Sequence, residues 1–199
     1  MTDDEEILSV PDAAVWRAWL SEHHEHSTGI WLRLAKKGTY EPTRLSYSEA
    51  LDEALCHGWI DGQVRRLDDL TFRQRFTPRR SRSAWSKRNI GHIARLTDEG
   101  RMRPAGLAAV ERAKADGRWE AAYEGQATME VPADLASALQ AEPRAQAMFE
   151  ILTSQNRYAV LFRTHSAKRA DTRARRIEQF VAMLARGETP HPQKRRLVD

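Results

Sequence analysis

Residues 77–96 read TPRRSRSAWSKRNIGHIARL, and the composition changes within this stretch from that of a loop to that of a helix. Its first part opens on Pro78 and then holds three arginines and two serines within residues 79–83, which is typical of a loop. Ser83 is the predicted N-cap, because its hydroxyl can accept from the free N–H groups of a first helical turn. Four side chains then recur at spacings of four, three and four on one helical face, namely Trp85, Asn89, His92 and Leu96.

The position of the arginines suggests an anion site. Arg79, Arg80 and Arg82 precede a predicted helix N-terminus, where the dipole and the unpaired N–H groups already favour a negative charge. The alternative is structural, since an arginine-rich loop can also pair with acidic neighbours inside the fold.

The overall composition indicates a folded protein. The chain has 199 residues, an apolar fraction of 41% and six tryptophans, which is enough to build a core. No stretch approaches the roughly 20 apolar residues of a membrane span. The acidic N-terminus lacks the features of a signal peptide, so we expect a cytoplasmic protein. Cys56 is the only cysteine, which excludes an intrachain disulfide and a cysteine-rich zinc site.

Charge is segregated along the chain. Residues 1–64 carry 5 basic and 12 acidic side chains, residues 65–103 carry 12 basic and 4 acidic, and a second basic block covers residues 157–196. Such blocks are compatible with a nucleic-acid surface. The interpretation that we favour is that acidic and basic elements neutralise each other within the fold.

The first half of the chain predicts helices and a small sheet. The apolar pattern predicts a helix over residues 11–23, and the alternation of residues 30–36 predicts a strand. Ser46 and Glu49 form a capping box that opens a helix to about His57, which Gly58 ends. Two further strands, 64–67 and 70–77, form a hairpin around Asp68 and Asp69. The ten residues at the start are expected to be a frayed lead-in.

The second half predicts helices only, which makes the fold class α+β, with a small antiparallel sheet of about three strands packed with helices. One helix starts at Pro104 and ends near Gly117. Others are predicted at 133–141, 144–153, 155–165 and 168–186. The expected organisation is an α+β domain over 1–126, a helical segment over 127–187 packed on it, and a mobile tail over 188–199.

Two clusters are typical of metal or thiol chemistry at first sight. His23, His24 and His26 crowd a helix end instead of lying four apart on one face, so we expect no metal and no cofactor. Cys56 and His57 are helix neighbours that point in different directions. A buried, unreactive cysteine is therefore the expected role of Cys56.

Three strings resemble the YdeI/OmpD-associated family, which is linked by name to bacteriocin protection. They are ALCHGWIDG at 54–62, TPRRSRSAWSKRN at 77–89 and RMRPAGLAAVERAKADGRW at 101–119, with a weaker match in AKRADTRARRI at 167–177. The resemblance implies a small cytoplasmic α+β domain, an added helical segment over about 127–187, and a link to resistance against envelope-active agents. It implies no catalytic residues.

The main hypothesis for function is a stress-protection or bacteriocin-protection protein that binds an anionic or phosphorylated small molecule. Arginine can pair bidentately with such a ligand and can stack on a flat one. The candidate ligand-binding residues are His57, Trp59, Asp61, Arg79, Arg80, Trp85, Lys87 and Asn89. A nucleic-acid-binding protein is the first alternative, supported by Arg73 and Arg75 on a strand. An enzyme is the second, although no catalytic set follows from the spacing. The oligomeric state is left open.

Overall fold

The protein is described by a computed structural model that covers residues 6–125 and 129–197. The chain forms two compact units, Met1–Ala122 and Tyr123–Asp199. In its described part the first unit contains a small sheet and four helices, and the described part of the second is helical, so the predicted α+β class is confirmed. The packing of the helical segment on the first domain stays a prediction.

In order along the chain, the elements of the first unit are β1 (Ile7–Leu8), α1 (Ala13–His23), β2 (Ile30–Ala35), α2 (Tyr47–Cys56), β3 (Trp59–Arg66), β4 (Thr71–Pro78), α3 (Lys87–Asp98) and α4 (Pro104–Ala115). The strand order in the sheet is β1-β2-β4-β3. The β2–β4 and β3–β4 pairs are antiparallel, as predicted, whereas β1 pairs with β2 in parallel.

The sheet differs from the prediction at two places. The short edge strand β1 lies within the stretch that we predicted to be a frayed lead-in, and residues 1–5 of that stretch lie outside the described residues. Strand β3 begins at Trp59 instead of Val64, because residues 59–61 also pair with β4 before an irregularity between Asp61 and Val64. Residues 59–61, which precede the predicted strand at 64–67, are therefore the first part of β3.

Helix α2 is the central helix of the first unit. Ser46 is its N-cap, and the capping box with Glu49 is present, which confirms the prediction. Residues on all its sides are buried, including Leu51, Leu55 and Cys56. A helix that is buried all round belongs in a core, and here the sheet and the helices α1, α3 and α4 contribute to the same core.

Helix α3 begins three residues later than predicted. Its N-cap is Ser86, whose side chain accepts from the backbone N–H of Asn89, and not Ser83. The backbone carbonyl of Ser83 instead accepts a hydrogen bond of 2.9 Å from Arg118. Trp85 lies before the helix, and its buried ring packs on Trp119 at 4.9 Å between centroids.

The second unit has four helices in its described part, close to the predicted positions. They are α5 (Ala133–Gln140), α6 (Pro143–Glu150), α7 (Ser154–His165) and α8 (Ala170–Ala185). Their apolar faces form a separate core around Leu139, Phe149 and Leu161. Asn156 on α7 exchanges hydrogen bonds of 2.7 and 3.0 Å with the backbone of His191, in the predicted tail. The mobility of that tail stays a prediction.

Within residues 6–125 and 129–197, no helix is both long and apolar enough to cross a lipid bilayer.

Candidate functional site

Three of the predicted ligand-binding residues, His57, Trp59 and Trp85, are buried in the first unit. His57 is only 3% exposed, and its Nδ1 lies 2.9 Å from the carbonyl of Glu53. Trp59 is also buried, and its indole N–H donates to the carbonyl of His24 at 3.2 Å. Both polar groups are therefore already bound within the protein, and neither residue presents a surface to a ligand.

Asp61 is half-buried and has a partner on α2. The phenol of Tyr47 donates to its carboxylate at 2.9 Å. Burial, and after it the negative charge of Asp61, raise the pKa of Tyr47 above its ordinary value. The Tyr47 phenol therefore stays protonated, and this pair links α2 to the start of β3.

Arg79 lies beside the residues at 57–61 because β3 and β4 pair there. Its backbone N–H donates to the carbonyl of Gly58 at 3.0 Å. Its guanidinium carbon lies 3.7 Å from the centroid of the Trp85 ring, and its Nη1 donates to the carbonyl of Ala84 at 3.3 Å. Such stacking of a guanidinium on an indole is favourable. These contacts of Arg79 therefore hold the loop that follows β4 against Gly58 and the buried ring of Trp85.

The remaining predicted residues lie at the surface around this stack. Arg80 and Lys87 are exposed, and Asn89 is half-buried at the start of α3. Arg82 and Arg88, on either side of Trp85, are also exposed. We call this set the basic loop surface; it consists of Arg80, Arg82, Lys87, Arg88 and Asn89.

The basic loop surface has few acidic partners. Among the residues that the structure describes, no carboxylate forms an ion pair with Arg80, Arg82 or Arg88, in contrast to Arg95 and Arg101. The first turn of α3 contains no acidic residue. Arg80, Arg82 and Arg88 therefore place positive charge, without an ion pair among the described residues, beside the positive end of a twelve-residue helix.

The sequence interpretation missed a buried ionic cluster on α2. Glu53 is 2% exposed and accepts hydrogen bonds of 2.7 and 2.8 Å from Arg17 and of 2.7 Å from Arg101. Next to it, Asp52 accepts from Arg95 at 2.6 Å and lies 3.2 Å from His92 Nδ1. Acidic residues of the first block and basic residues of the second do neutralise each other here, as we expected in general terms.

Burial alone would raise the pKa of Glu53. The hydrogen bonds from Arg17 and Arg101 outweigh burial, and the pKa of Glu53 lies below its ordinary value. The carboxylate is thus ionised at neutral pH and satisfied on both oxygens. Its partners are 36 and 48 residues away in sequence, so no local spacing could have indicated the cluster.

One serine–histidine pair has the distance required for nucleophilic catalysis. Ser21 Oγ lies 3.3 Å from His57 Nε2, and burial lowers the pKa of His57, which keeps the ring neutral. However, the Ser21 hydroxyl also donates to the carbonyl of Arg17 at 2.9 Å. The His57 ring is held by a backbone carbonyl instead of a carboxylate. The geometry is that of a satisfied hydrogen-bonded pair and gives no catalytic assignment.

Cys56 and the histidines at the end of α1 have packing roles in the fold. Cys56 is buried, and burial raises the pKa of its thiol to about 11, so little thiolate forms at neutral pH. The His23 ring stacks on Trp19, with centroids 4.6 Å apart. In the described part of the chain, no group of three or more His, Cys, Asp or Glu side chains is placed to hold a metal ion.

Comparison with known families divides the chain in the same way as the structure. Residues 8–109, just over half of the chain, match the family described as a domain of unknown function, DUF8412. Residues 128–187 match the family described as Bacteriocin-protection, YdeI or OmpD-Associated. This second match confirms the resemblance to that family over the helical segment, whereas the strings at 54–62 and 77–89 lie within the first match. No curated protein and no solved structure matches the chain.

Proposed function

Given that the chain belongs to the DUF8412 family of domains of unknown function and carries a bacteriocin-protection, YdeI or OmpD-associated segment, we propose that it is a protection protein that binds an anionic or phosphorylated small molecule. The proposed site is the basic loop surface of the first unit. A cytoplasmic location is part of the proposal and was expected from the sequence.

The observation that carries the proposal is the exposed arginine set at the start of α3. Arg80, Arg82 and Arg88 have no carboxylate partner among the described residues, and the helix that follows has no acidic residue in its first turn. Guanidinium groups bind phosphate and carboxylate oxygens through charge-assisted, often bidentate hydrogen bonds. A helix N-terminus adds N–H donors that favour the same charge.

The loop is held in place before any ligand binds, which supports the same proposal. Arg79 stacks on Trp85, and Arg118 binds the carbonyl of Ser83. A loop that is already fixed loses little conformational entropy on binding, so more of the interaction energy appears as affinity. His57 and Trp59 support the surface from the core and are not proposed to contact the ligand.

The test is a thermal-shift titration with phosphate and sulfate, with chloride at equal ionic strength as the control for screening. An anion at ten times its dissociation constant stabilises the native state by about 1.4 kcal/mol. For a chain of this size the melting temperature then rises by roughly 3–6 °C. Arg80→Ala/Arg82→Ala should abolish the selective shift, because both side chains are exposed and the Arg79–Trp85 stack is left intact.

A second double variant, Arg66→Ala/Arg112→Ala, removes the same charge from exposed positions elsewhere on the first unit. It should keep the full phosphate and sulfate shift. If Arg80→Ala/Arg82→Ala keeps the shift as well, the basic loop surface is not the site. If both double variants lose it equally, the shift reflects net charge and not a specific site.

A further inference from the structure

Three arginines lie side by side across the sheet, on neighbouring strands. Arg33 on β2 is directly opposite Arg73 on β4, and Arg73 is directly opposite Arg65 on β3. Strands are spaced by about 4.8 Å, so the row spans roughly 10 Å. Arg75 follows Arg73 by two residues and faces the same side. We call these four side chains the arginine row.

The arginine row surrounds a buried tryptophan. Trp31 is 1% exposed, and the guanidinium carbons of Arg65 and Arg73 lie 4.9 and 4.8 Å from its ring centroid. These cation–π contacts are favourable. They do not remove the repulsion between like charges that face each other directly across strands, which destabilises a sheet. The native state therefore retains an unfavourable electrostatic repulsion on the sheet face that carries the arginine row.

Two guanidinium groups of the arginine row, those of Arg33 and Arg73, are not fully hydrogen-bonded by the described part of the chain. The Nε atoms of Arg33 and Arg73 are buried, and within the described ranges they have no hydrogen-bond partner. Asp68 is within electrostatic reach of Arg33, but its two carboxylate oxygens already accept from Thr71 at 2.6 and 2.7 Å. Buried polar groups normally have partners, so the protein itself leaves the hydrogen-bonding capacity of these two guanidinium groups incompletely used.

Arg66, on the same β3–β4 hairpin, differs from the arginine row because it forms an ion pair with a nearby aspartate. It is opposite Phe72, on the other face from the arginine row, and its Nη2 lies 2.6 Å from Asp69. Among the described residues, Arg33, Arg73 and Arg75 form no ion pair of this kind. These three arginines therefore differ from Arg66, which lies on the other face of the hairpin.

We infer that the arginine row binds a small anion with several linked phosphate groups, of which inorganic tripolyphosphate is the simplest probe. Adjacent guanidinium groups at strand spacing can each bind one phosphate through a planar pair of donors. A row of about 10 Å is suited to a short chain of phosphates. Single-strand binders stack bases on exposed aromatic rings, whereas Trp31 is buried, which favours a small anion over a nucleic acid.

The inference is independent of the basic loop surface, because the two surfaces share no residue. Isothermal titration calorimetry on the full chain compares tripolyphosphate with orthophosphate at equal ionic strength. Tripolyphosphate should bind at least about tenfold more tightly, since it engages more than one charge-assisted hydrogen bond pair. Arg33→Gln and Arg73→Gln should each weaken tripolyphosphate binding by about tenfold or more. The matched control Arg66→Gln should leave it unchanged.

A second measurement separates a binding role from a structural one. Without ligand, Arg33→Gln should melt at the same temperature as the wild type or above it, because one like-charge neighbour of Arg73 is removed. If Arg73→Gln fails to fold through loss of its contact with Trp31, Arg33→Gln decides the question, since its guanidinium is not one of the two over the ring.

Three results would overturn the inference. The first is tripolyphosphate binding that survives both Arg33→Gln and Arg73→Gln. The second is an equal loss of binding in Arg66→Gln, which would indicate net charge alone. The third is a random oligonucleotide that binds more tightly than tripolyphosphate, with an affinity that falls steeply with salt. That outcome would make this face a nucleic-acid surface instead.

Discussion

Glu53→Gln is the sharpest test of what holds the first unit together. The substitution keeps the size of the side chain and removes its charge. In the wild type, three guanidinium N–H groups from Arg17 and Arg101 converge on the two carboxylate oxygens at 2.7–2.8 Å. A glutamine offers one acceptor oxygen, and its NH₂ group meets donors instead of acceptors.

The expected cost follows from the burial of the three partners. Removing one member of a buried ion pair costs about 3–5 kcal/mol, because the remaining charge is left uncompensated. Glu53 is 2% exposed, but the side chains of Arg17 and Arg101 are 42% and 33% exposed and can turn toward water. We therefore expect a smaller loss of about 2–3 kcal/mol. This corresponds to a fall in melting temperature of roughly 6–12 °C for a unit of this size.

The effect should depend on pH in one direction. The pKa of Glu53 is lowered in the folded state from its ordinary value of 4.5. The unfolded chain therefore binds the proton first as pH falls, and the stabilisation is complete above the unfolded pKa and is lost as pH falls through the folded pKa. The stability difference between wild type and Glu53→Gln should be full at pH 7 and should shrink at pH 3.

Urea unfolding followed by circular dichroism at pH 7 and pH 3 measures both quantities. The control is Glu111→Gln, which removes an exposed carboxylate paired with Lys114 at 2.9 Å. A surface pair of this kind contributes about 0–1 kcal/mol, so the control should unfold like the wild type. The reasoning is refuted if Glu53→Gln is as stable as the wild type at pH 7, or if its deficit is the same at both pH values.

Four further outcomes follow from the local surroundings of single residues in the first unit. Ser46→Ala should cost about 1 kcal/mol, because the N-cap hydroxyl of α2 is lost; an unchanged urea midpoint would contradict it. Gly106→Ala should cost about 1–3 kcal/mol, because its Cβ would lie 2.2 Å from the carbonyl oxygen of Cys56. Gly91→Ala, on a helix face with nothing within 4 Å, should instead stabilise by about 0.5–1 kcal/mol. Iodoacetamide should label Cys56 only after unfolding, since the thiol is buried and its pKa is raised to about 11; fast labelling of the native protein would rule this out.

Local sequence signals predicted the helices well. The capping box at Ser46 and Glu49 satisfies its own N–H groups within four residues, so the sequence alone specifies it. The helices of the second unit follow an apolar period of the same local kind. Pro104 and Pro143 each stand at the first position of a helix, where their missing N–H costs nothing.

Features that depend on distant partners were not predictable from the sequence. Strand β1 has two residues, and its pairing with Trp31 and Leu32 joins positions 24 apart. Ser83 and Ser86 are equally good N-caps by residue type. Ser86 is the N-cap of α3 in the structure. The residues that precede it form contacts of a different kind, since the guanidinium of Arg118 donates to the carbonyl of Ser83. No local pattern contains that information.

The candidate site was predictable only in part for the same reason. The loop at 79–89 and its positive charge follow from composition. The role of Arg79 as a stacking partner of Trp85 depends on how the loop folds back. Arg73 and Arg75 were recognisable as one face of a strand, whereas Arg33 and Arg65 join that face only through the register of the sheet.

Arginine has at least two roles in this protein, and the position of the nearest carboxylate separates them. Arg17 and Arg101 meet a buried glutamate, so their guanidinium groups stabilise the fold. Arg33 and Arg80 form no ion pair with a carboxylate among the described residues, and Arg33 is also directly opposite another arginine. Substitution of the first kind should lower stability at neutral pH. Substitution of the second kind should change anion binding while stability stays the same or rises, because removing an unpaired like charge relieves repulsion. The high arginine content of the sequence therefore does not indicate which arginines stabilise the fold and which bind an anion. That distinction depends on which carboxylates lie next to each arginine in the folded protein.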